Sequence, residues 1–228
     1  DAAAVYFLDI FRDKTYSPPL ITWIIRIMFD IFGKEYFDLI IIFVNYIFFL
    51  IPLYFIYKIG EETDSKETGN TAMILFALVP AVYGLSRQFG HRDYHIIAAI
   101  TFNIYCLIKT NQFTNKKWSI IYGASVGLGL LVKEQFLAYF IMPFLWILFV
   151  EIKQKKQIIL KIINTLASIG IGALIACIHY LDPLVIKKVY TDPIMQSVPI
   201  FTFENIRIIT IGLYEELMSL PIFLIYLM

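Results

Sequence analysis

Charged side chains are scarce in this chain. Asp, Glu, Lys and Arg make up 16% of its 228 residues and hydrophobic residues make up 59%, whereas soluble domains are about a quarter charged. The formal net charge of +1 excludes a partner such as nucleic acid, which is held by a basic surface. The composition indicates an integral membrane protein. The alternative is a soluble all-α protein with buried helices.

Cysteine is also scarce, with two residues in the whole chain. Cys106 and Cys177 both lie within apolar segments, which favours small buried side chains over a disulfide or a metal pair. No methionine or signal peptide opens the sequence. We therefore expect the chain to be a fragment of a longer polytopic protein, with its own residues in a single transmembrane domain.

Six apolar runs are candidates for helices that cross a bilayer. The clearest, residues 39–57, is nineteen residues long and carries no charge, which is enough to cross about 30 Å of hydrocarbon. The others are residues 71–86, 94–108, 118–132, 136–150 and 162–181. The pattern predicts an all-α, polytopic transmembrane helical bundle with about six spans in 39–181. Residues 208–228 would begin a further span.

The segment before the first span, residues 1–38, is predicted to be an outer loop that holds an amphipathic interfacial helix. Pro18 and Pro19 would start this helix and Gly33 would end it. Arg26 and Asp30 form an i,i+4 pair opposite its apolar side. That side comprises Ile21, Ile24, Ile25, Met28 and Phe32. Such a helix lies parallel to the membrane surface.

Lysine is distributed unevenly among the connections. Nine Lys and no Arg lie in 58–70, 109–117 and 151–161. The alternate connections carry Arg87, Arg92 and Lys133. Counted over short loops, this bias places the lysine-rich set in the cytoplasm, where we expect 61–70 to form a solvated loop. The outer set comprises 1–38, 86–93, 133–135 and 182–207.

A polar segment interrupts the apolar pattern at residues 87–93, which read Arg-Gln-Phe-Gly-His-Arg-Asp. Charges at the edge of a membrane bundle are costly unless they serve a site, so this segment is the first candidate site. His91 and His95 flank Asp93 at helical spacing, which allows a divalent metal site. The alternative is a set of polar residues that cap helices and meet lipid headgroups.

The order of these elements is recognisable. An outer acid, Asp1, precedes a Ser-Pro-Pro-Leu turn at 17–20, and a second outer acid, Asp93, follows the first span. A Trp-opened helix then ends in Gly-Ala-Ser-Val-Gly-Leu-Gly-Leu-Leu-Val-Lys at 123–133. This order resembles the GT-C glycosyltransferases of the protein O-mannosyltransferase and aminoarabinose transferase branch, over 1–143.

The resemblance implies a lipid-linked sugar donor, with a polyprenyl phosphate carrier, and a site on the outer or lumenal face of the plasma membrane or endoplasmic reticulum. Asp1 would be the general base of an inverting transfer, and Asp93 the second catalytic acid. The donor phosphate would be bound by cations and polar groups nearby, namely Arg92, Arg87, Lys133 and His91. The resemblance does not decide whether the acceptor is a lipid, a glycan or a protein.

Two other classes of function compete with sugar transfer. A transporter or lipid flippase would place ionisable residues near mid-span, and the apolar runs contain almost none. A noncatalytic membrane subunit would use small-residue faces for assembly, and Gly123 and Gly127 supply one such face. Packing within the bundle is the simpler interpretation of these glycines.

Overall fold

The computed structural model describes residues 18–79, 92–153, 157–183 and 185. Within these ranges all regular structure is helical, which confirms the all-α prediction. Besides a 3₁₀ turn at Lys34–Tyr36, the described residues form seven α-helices: α1 Leu20–Phe32, α2 Phe37–Thr63, α3 Lys66–Ala77, α4 Arg92–Lys109, α5 Lys116–Val132, α6 Phe136–Lys153 and α7 Ile158–Tyr180.

Helices α2, α4, α5, α6 and α7 coincide with five of the six predicted apolar runs. Two of them, α2 and α7, are long and apolar enough to cross a membrane, and shorter apolar helices lie at His95–Lys109 and Phe136–Phe149. The agreement has a physical reason, because a backbone surrounded by hydrocarbon can satisfy its polar groups only by forming helices or closed barrels. An all-α membrane bundle results.

The prediction of a solvated loop at 61–70 is wrong. Helix α2 continues to Thr63 and α3 begins at Lys66, so a two-residue turn joins them. Ser65 caps α3 by accepting a hydrogen bond from the Thr68 amide at 3.2 Å, and the Thr68 hydroxyl donates to Asp64. Such capping satisfies amides that would otherwise lack intrahelical partners.

The remaining predicted run, 71–86, is not one continuous helix. Helix α3 starts before it and ends at Ala77, and the Leu78 amide donates back to the Ile74 carbonyl at 3.1 Å. The cause is Pro80, because a residue that precedes proline disfavours the α conformation. The remainder of that run, 80–86, lies outside the described residues.

Helix α1 confirms the predicted amphipathic helix, and its position at the membrane interface stays a prediction. It begins directly after Pro19 and ends at Gly33, whose φ of 96° is open to glycine at little cost. Ile21 is buried, whereas Arg26 and Asp30 are exposed. The helix is therefore amphipathic, and it packs on α2 and α5.

The larger helices pack in the order α3, α2, α4, α5 and α7, while α6 lies against α4 and α5. The closest packing joins α5 to α7 through small residues. A Cβ at Gly127 would lie 2.8 Å from the Gly172 carbonyl oxygen, and the Ser168 hydroxyl donates to the Ser119 carbonyl at 2.6 Å. The packing role expected for the glycines of α5 is confirmed.

The lysine-rich connections share one end of the bundle. Lys109, at the end of α4, forms an ion pair of 2.7 Å with Glu62, at the end of α2. Lys161, in the first turn of α7, donates to Gln112 in the α4–α5 connection at 3.2 Å. The three connections predicted to face the cytoplasm therefore lie together. Their assignment to the cytoplasm stays a prediction from the lysine count.

The opposite end is held by a hydrophobic cluster of Ile21, Ile96, Val132 and Phe136, all buried. These residues come from α1, the start of α4, the end of α5 and the start of α6. We call this end the cluster end. It gathers the start of α1, the start of α4 and the α5–α6 connection, all of which were predicted to be on the outer side.

Candidate functional site

Part of the predicted site falls outside the described residues. Asp1, Arg87 and His91 are in this part, and their roles stay predictions. Arg92 and Asp93 form the first turn of α4, where the backbone is described and the side chains are not. Lys133 and His95 are described in full.

The cluster end brings three predicted elements together. Ile96 lies three residues after Asp93 on α4, Val132 directly precedes Lys133, and Ile21 directly follows the Pro-Pro-Leu turn. Contact among these three apolar side chains places the first turn of α4, the end of α5 and the start of α1 side by side. Asp93 and Lys133 therefore lie at the same end of the bundle although forty residues of sequence separate them.

Lys133 is positioned by its backbone. It ends α5 in an extended conformation, and its amide still donates to the Gly129 carbonyl at 3.1 Å. Its own carbonyl accepts from the Phe136 amide at 3.0 Å, which starts α6 after a three-residue connection. The half-buried lysine side chain therefore extends from a short and well-bonded turn.

His95 is buried, with 4% of its surface exposed. Its ring meets the Phe48 ring edge-on, with 4.8 Å between centroids and 74° between planes. The histidine therefore packs between α4 and α2. Among the described residues no group of three His, Cys, Asp or Glu could hold a metal ion. The metal site of His91, Asp93 and His95 stays a prediction, since two of its three side chains lie outside that set.

An open apolar cavity of about 350 Å³ is lined on α4 from Ala98 onwards, in the second and third turns of that helix. Small side chains of α4, Ala98 and Ala99, are part of its lining. At about 1.5 Å rise per residue, Ala98 is about 8 Å along the helix from Asp93, and Phe102 is about 14 Å from it. The remaining lining residues are Leu20, Phe48, Ile51, Phe55, Ser125, Leu128, Gly129 and Val132.

Sequence reasoning missed this cavity. Its lining comes from four helices, α1, α2, α4 and α5, that are distant in sequence. The available signal was the pair Ala98-Ala99 in an otherwise bulky apolar run, together with Gly129 on α5. Small residues on neighbouring helices either bring the helices close together or leave space between larger side chains. Between α5 and α7 the helices approach closely, whereas here a cavity remains.

The fold defines the class of the protein as an all-α integral membrane bundle with polar candidate residues at one end. The model of the dolichyl-phosphate-mannose-protein mannosyltransferase family matches residues 16–181, and the chain belongs to this family of GT-C membrane glycosyltransferases. Neither the curated proteins nor the solved structures give a match to the chain.

The family match confirms the resemblance and extends it. It begins just before the Pro-Pro-Leu turn, includes the first turn of α4 and Lys133, and continues past Pro143 through α7. Asp1 precedes the matched region. The predicted base is therefore supported by the resemblance alone, while Asp93 and Lys133 lie within the matched residues.

Proposed function

We propose that the protein transfers a sugar from a polyprenyl-phosphate carrier to an acceptor on the outer or lumenal face of the membrane. The observation that carries the proposal is the apolar cavity, whose lining includes Val132, next to Lys133, and Ala98, five residues after Asp93 on α4. A lipid-linked sugar has a polar head and an apolar chain. A site for it needs polar residues beside an apolar cavity, and the bundle has both at the cluster end.

The apolar cavity suits part of the carrier chain. Its volume of about 350 Å³ lies within the range of about 300–1,000 Å³ typical of ligand sites. Its lining is almost entirely hydrocarbon, with Ser125 contributing a hydroxyl that already donates to the Tyr122 carbonyl at 2.7 Å. An isoprenoid chain bound there would bring its phosphate towards Lys133 and the first turn of α4.

The chemistry assigned to the acids is general base catalysis. Asp1 takes the proton of the acceptor hydroxyl while the hydroxyl oxygen attacks the anomeric carbon. The bond from that carbon to the phosphate oxygen breaks, and the phosphate leaves on its carrier. A single displacement of this kind inverts the anomeric configuration. Asp93 orients the acceptor beside the attacked carbon.

The leaving phosphate gains charge as the bond breaks, so cations beside it lower the barrier. Arg92, Arg87 and Lys133 supply that charge in the proposal, and His91 adds a hydrogen bond. The guanidinium groups suit bidentate contact with phosphate oxygens, whereas Lys133 acts as a point charge. The acceptor is a hydroxyl of a lipid, glycan or protein.

The experiment compares two neutralised acids with a matched control. We expect Asp1→Asn to lower the transfer of radiolabelled sugar from a polyprenyl-phosphate donor by about 10²–10⁴-fold, because the general base is lost. Asp93→Asn should lower transfer as well, because the acceptor is less well oriented. Asp30→Asn, an exposed carboxylate on α1, should leave transfer unchanged. Melting curves of all three variants separate loss of chemistry from loss of folding.

The outcomes discriminate among the three classes of function. Full activity in Asp1→Asn would remove that residue as the base, and full activity in both variants would remove the site at the cluster end. A chain that moves the lipid-linked sugar across the membrane but never transfers the sugar would be a flippase. Loss of a protein complex without loss of transfer would identify a subunit.

A further inference from the structure

A buried lysine lies at the end of the bundle opposite to the proposed sugar site. Lys161, in the first turn of α7, has 4% of its surface exposed. Its ammonium group donates to the neutral side-chain oxygen of Gln112 at 3.2 Å. Two other lysines at this end have carboxylate partners, since Lys58 pairs with Glu61 at 2.6 Å and Lys109 with Glu62 at 2.7 Å.

The groups around Lys161 also have unused capacity for hydrogen bonds. Thr165 lies one turn further along the same face of α7, is 8% exposed, and its hydroxyl has no hydrogen-bond partner within the described ranges. Gln157, which precedes the helix, provides no side-chain cap for the first amides of α7. Those amides form the positive end of the helix dipole.

Lys161, the first amides of α7 and Thr165 are all hydrogen-bond donors, and none of them has a charged acceptor among the described residues. A buried ammonium group with only a neutral partner is costly, and buried polar groups in native structures are normally satisfied. The ammonium group, the amides and the threonine hydroxyl can all donate hydrogen bonds. The missing partner is therefore an anion with several acceptor oxygens, which is the chemistry of a phosphate group.

The connection that faces Lys161 is already held in place. Asn111, Gln112 and Phe113 all have positive φ values, of 47°, 56° and 59°. Asn164 of α7 donates to the Phe113 carbonyl at 2.7 Å, and Phe113 is fully buried. Gln112 therefore directly precedes a buried residue whose carbonyl is bound by α7.

The neighbouring surface indicates where the phosphate comes from. Ile159, Ile162 and Ile163 are 72%, 51% and 57% exposed beside Lys161 on α7, a helix apolar enough to span the membrane. An anion at Lys161 would therefore have hydrocarbon next to it. Basic pockets between helices on the cytoplasmic side bind anionic lipid headgroups.

We infer that the lysine-rich end of the bundle binds the phosphate of an anionic phospholipid between the first turn of α7 and the α4–α5 connection. The site is separate from the proposed sugar site, and its existence does not depend on sugar transfer. The lipid would fasten α7 to the connection that Gln112 and Phe113 belong to.

The test uses the full chain in nanodiscs of phosphatidylcholine with or without phosphatidylglycerol. We expect phosphatidylglycerol to raise the melting temperature of the wild type and of Lys116→Gln, an exposed lysine at the same end. Lys161→Gln should lose most of that rise, and native mass spectrometry should show at least about tenfold weaker retention of the lipid. Lys161→Arg should keep both effects.

Two further arms decide the remaining outcomes. Thr165→Val, which keeps the shape of the side chain, should weaken lipid retention even if Lys161→Gln fails to fold. Equal stabilisation of the wild type, Lys161→Gln and Thr165→Val by phosphatidylglycerol would overturn the site. Protection of detergent-solubilised protein by inorganic phosphate, without any effect of the lipid, would overturn the assignment to a phospholipid.

Discussion

At the scale of single residues, Lys133 shows how a charge is positioned in an apolar bundle. Its backbone closes α5 and opens the connection to α6, so the position of its Cα depends on two helices. A flexible four-carbon side chain then spans the remaining distance to a ligand. A cation of this kind can follow a phosphate that moves slightly as its bond to the sugar breaks.

We predict that Lys133→Gln raises the KM for the lipid-linked donor about tenfold or more, because a hydrogen bond to a charged group is worth about 1.5–3 kcal/mol. Lys116→Gln, at the opposite end of the same helix, should leave KM unchanged. Steady-state transfer rates at varied donor concentration measure both. Equal KM values in the wild type and Lys133→Gln would remove Lys133 from the donor site.

The sequence predicts which residue types form the candidate site, and their roles stay predictions. Asp93 and Lys133 stand out because they lie between long apolar runs. Their location at one end of the bundle depends on the contact among Ile96, Val132 and Phe136, and no local pattern predicts which apolar side chains of distant helices meet. The packing environment of His95 was missed for the same reason, since Phe48 belongs to another helix.

At the scale of helices, the apolar cavity depends on the small residues of α4. We predict that Ala99→Phe fills the cavity and lowers kcat/KM for long-chain donors by about tenfold or more, since a lost apolar contact of this size is worth about 1.5–3 kcal/mol. Short-chain donor analogues should be affected less. The comparison of donors that differ in chain length is the measurement.

Ala138→Phe is the matched control, because Ala138 lies exposed on α6 away from the cavity lining. Its transfer rates should equal those of the wild type with every donor. If Ala99→Phe lowered the rates for short and long donors equally, the cavity would not be the site of the carrier chain.

A second prediction at this scale concerns the α5–α7 contact. A Cβ on Gly123 would overlap the backbone of Ser168, whereas a Cβ on Gly170 would meet nothing within 4 Å. Gly123→Ala should therefore destabilise the fold by about 1–3 kcal/mol. Gly170→Ala should be neutral or stabilising by up to about 1 kcal/mol. Denaturant unfolding in detergent compares the two, and equal stabilities would contradict the packing.

Helix positions were predictable where hydrocarbon leaves the backbone no alternative, as in α2 and α7. The turn at Asp64–Ser65 was missed because polar composition alone suggested a loop. Glu, Lys and Thr at 61–68 also fit a helix end followed by a new start, and Ser65 is a favourable cap. To predict whether a polar segment between two spans is a loop or a helix, its capping residues must be considered together with its composition.

At the scale of the whole molecule, the bundle has two chemically different ends. The lysine-rich connections meet at one end through Lys109–Glu62 and Lys161–Gln112. The starts of α1 and α4 meet at the other end. A sugar site at the cluster end and a phospholipid site at the lysine-rich end would then face opposite leaflets.

We predict that a cysteine at position 135 is labelled by a membrane-impermeant maleimide in intact cells, whereas one at position 116 is labelled only after the membrane is opened. Position 116 is the first residue of α5 and position 135 lies three residues after its last residue, and both positions are exposed. The positive-inside rule gives the orientation. Labelling of Lys116→Cys alone in intact cells would reverse the assignment of the two faces.

The two native cysteines could also react with the maleimide in that experiment. Cys106 is buried and Cys177 is half-buried, and both are free thiols. A Cys106→Ser, Cys177→Ser background removes any residual reaction from them. Sugar transfer by this background shows whether the labelled protein is still folded.

The three consecutive positive φ values at residues 111–113 bear on how the chain is assembled during synthesis. Outside glycine, such backbone costs roughly 1–2 kcal/mol per residue. Local bonds offset part of this cost, such as the one from the Asn115 amide to the Thr110 carbonyl at 3.0 Å, and a further bond comes from Asn164, 51 residues later. That last bond can form only once α7 has been synthesised, so the hairpin of α4 and α5 is completed by a helix that leaves the ribosome after it.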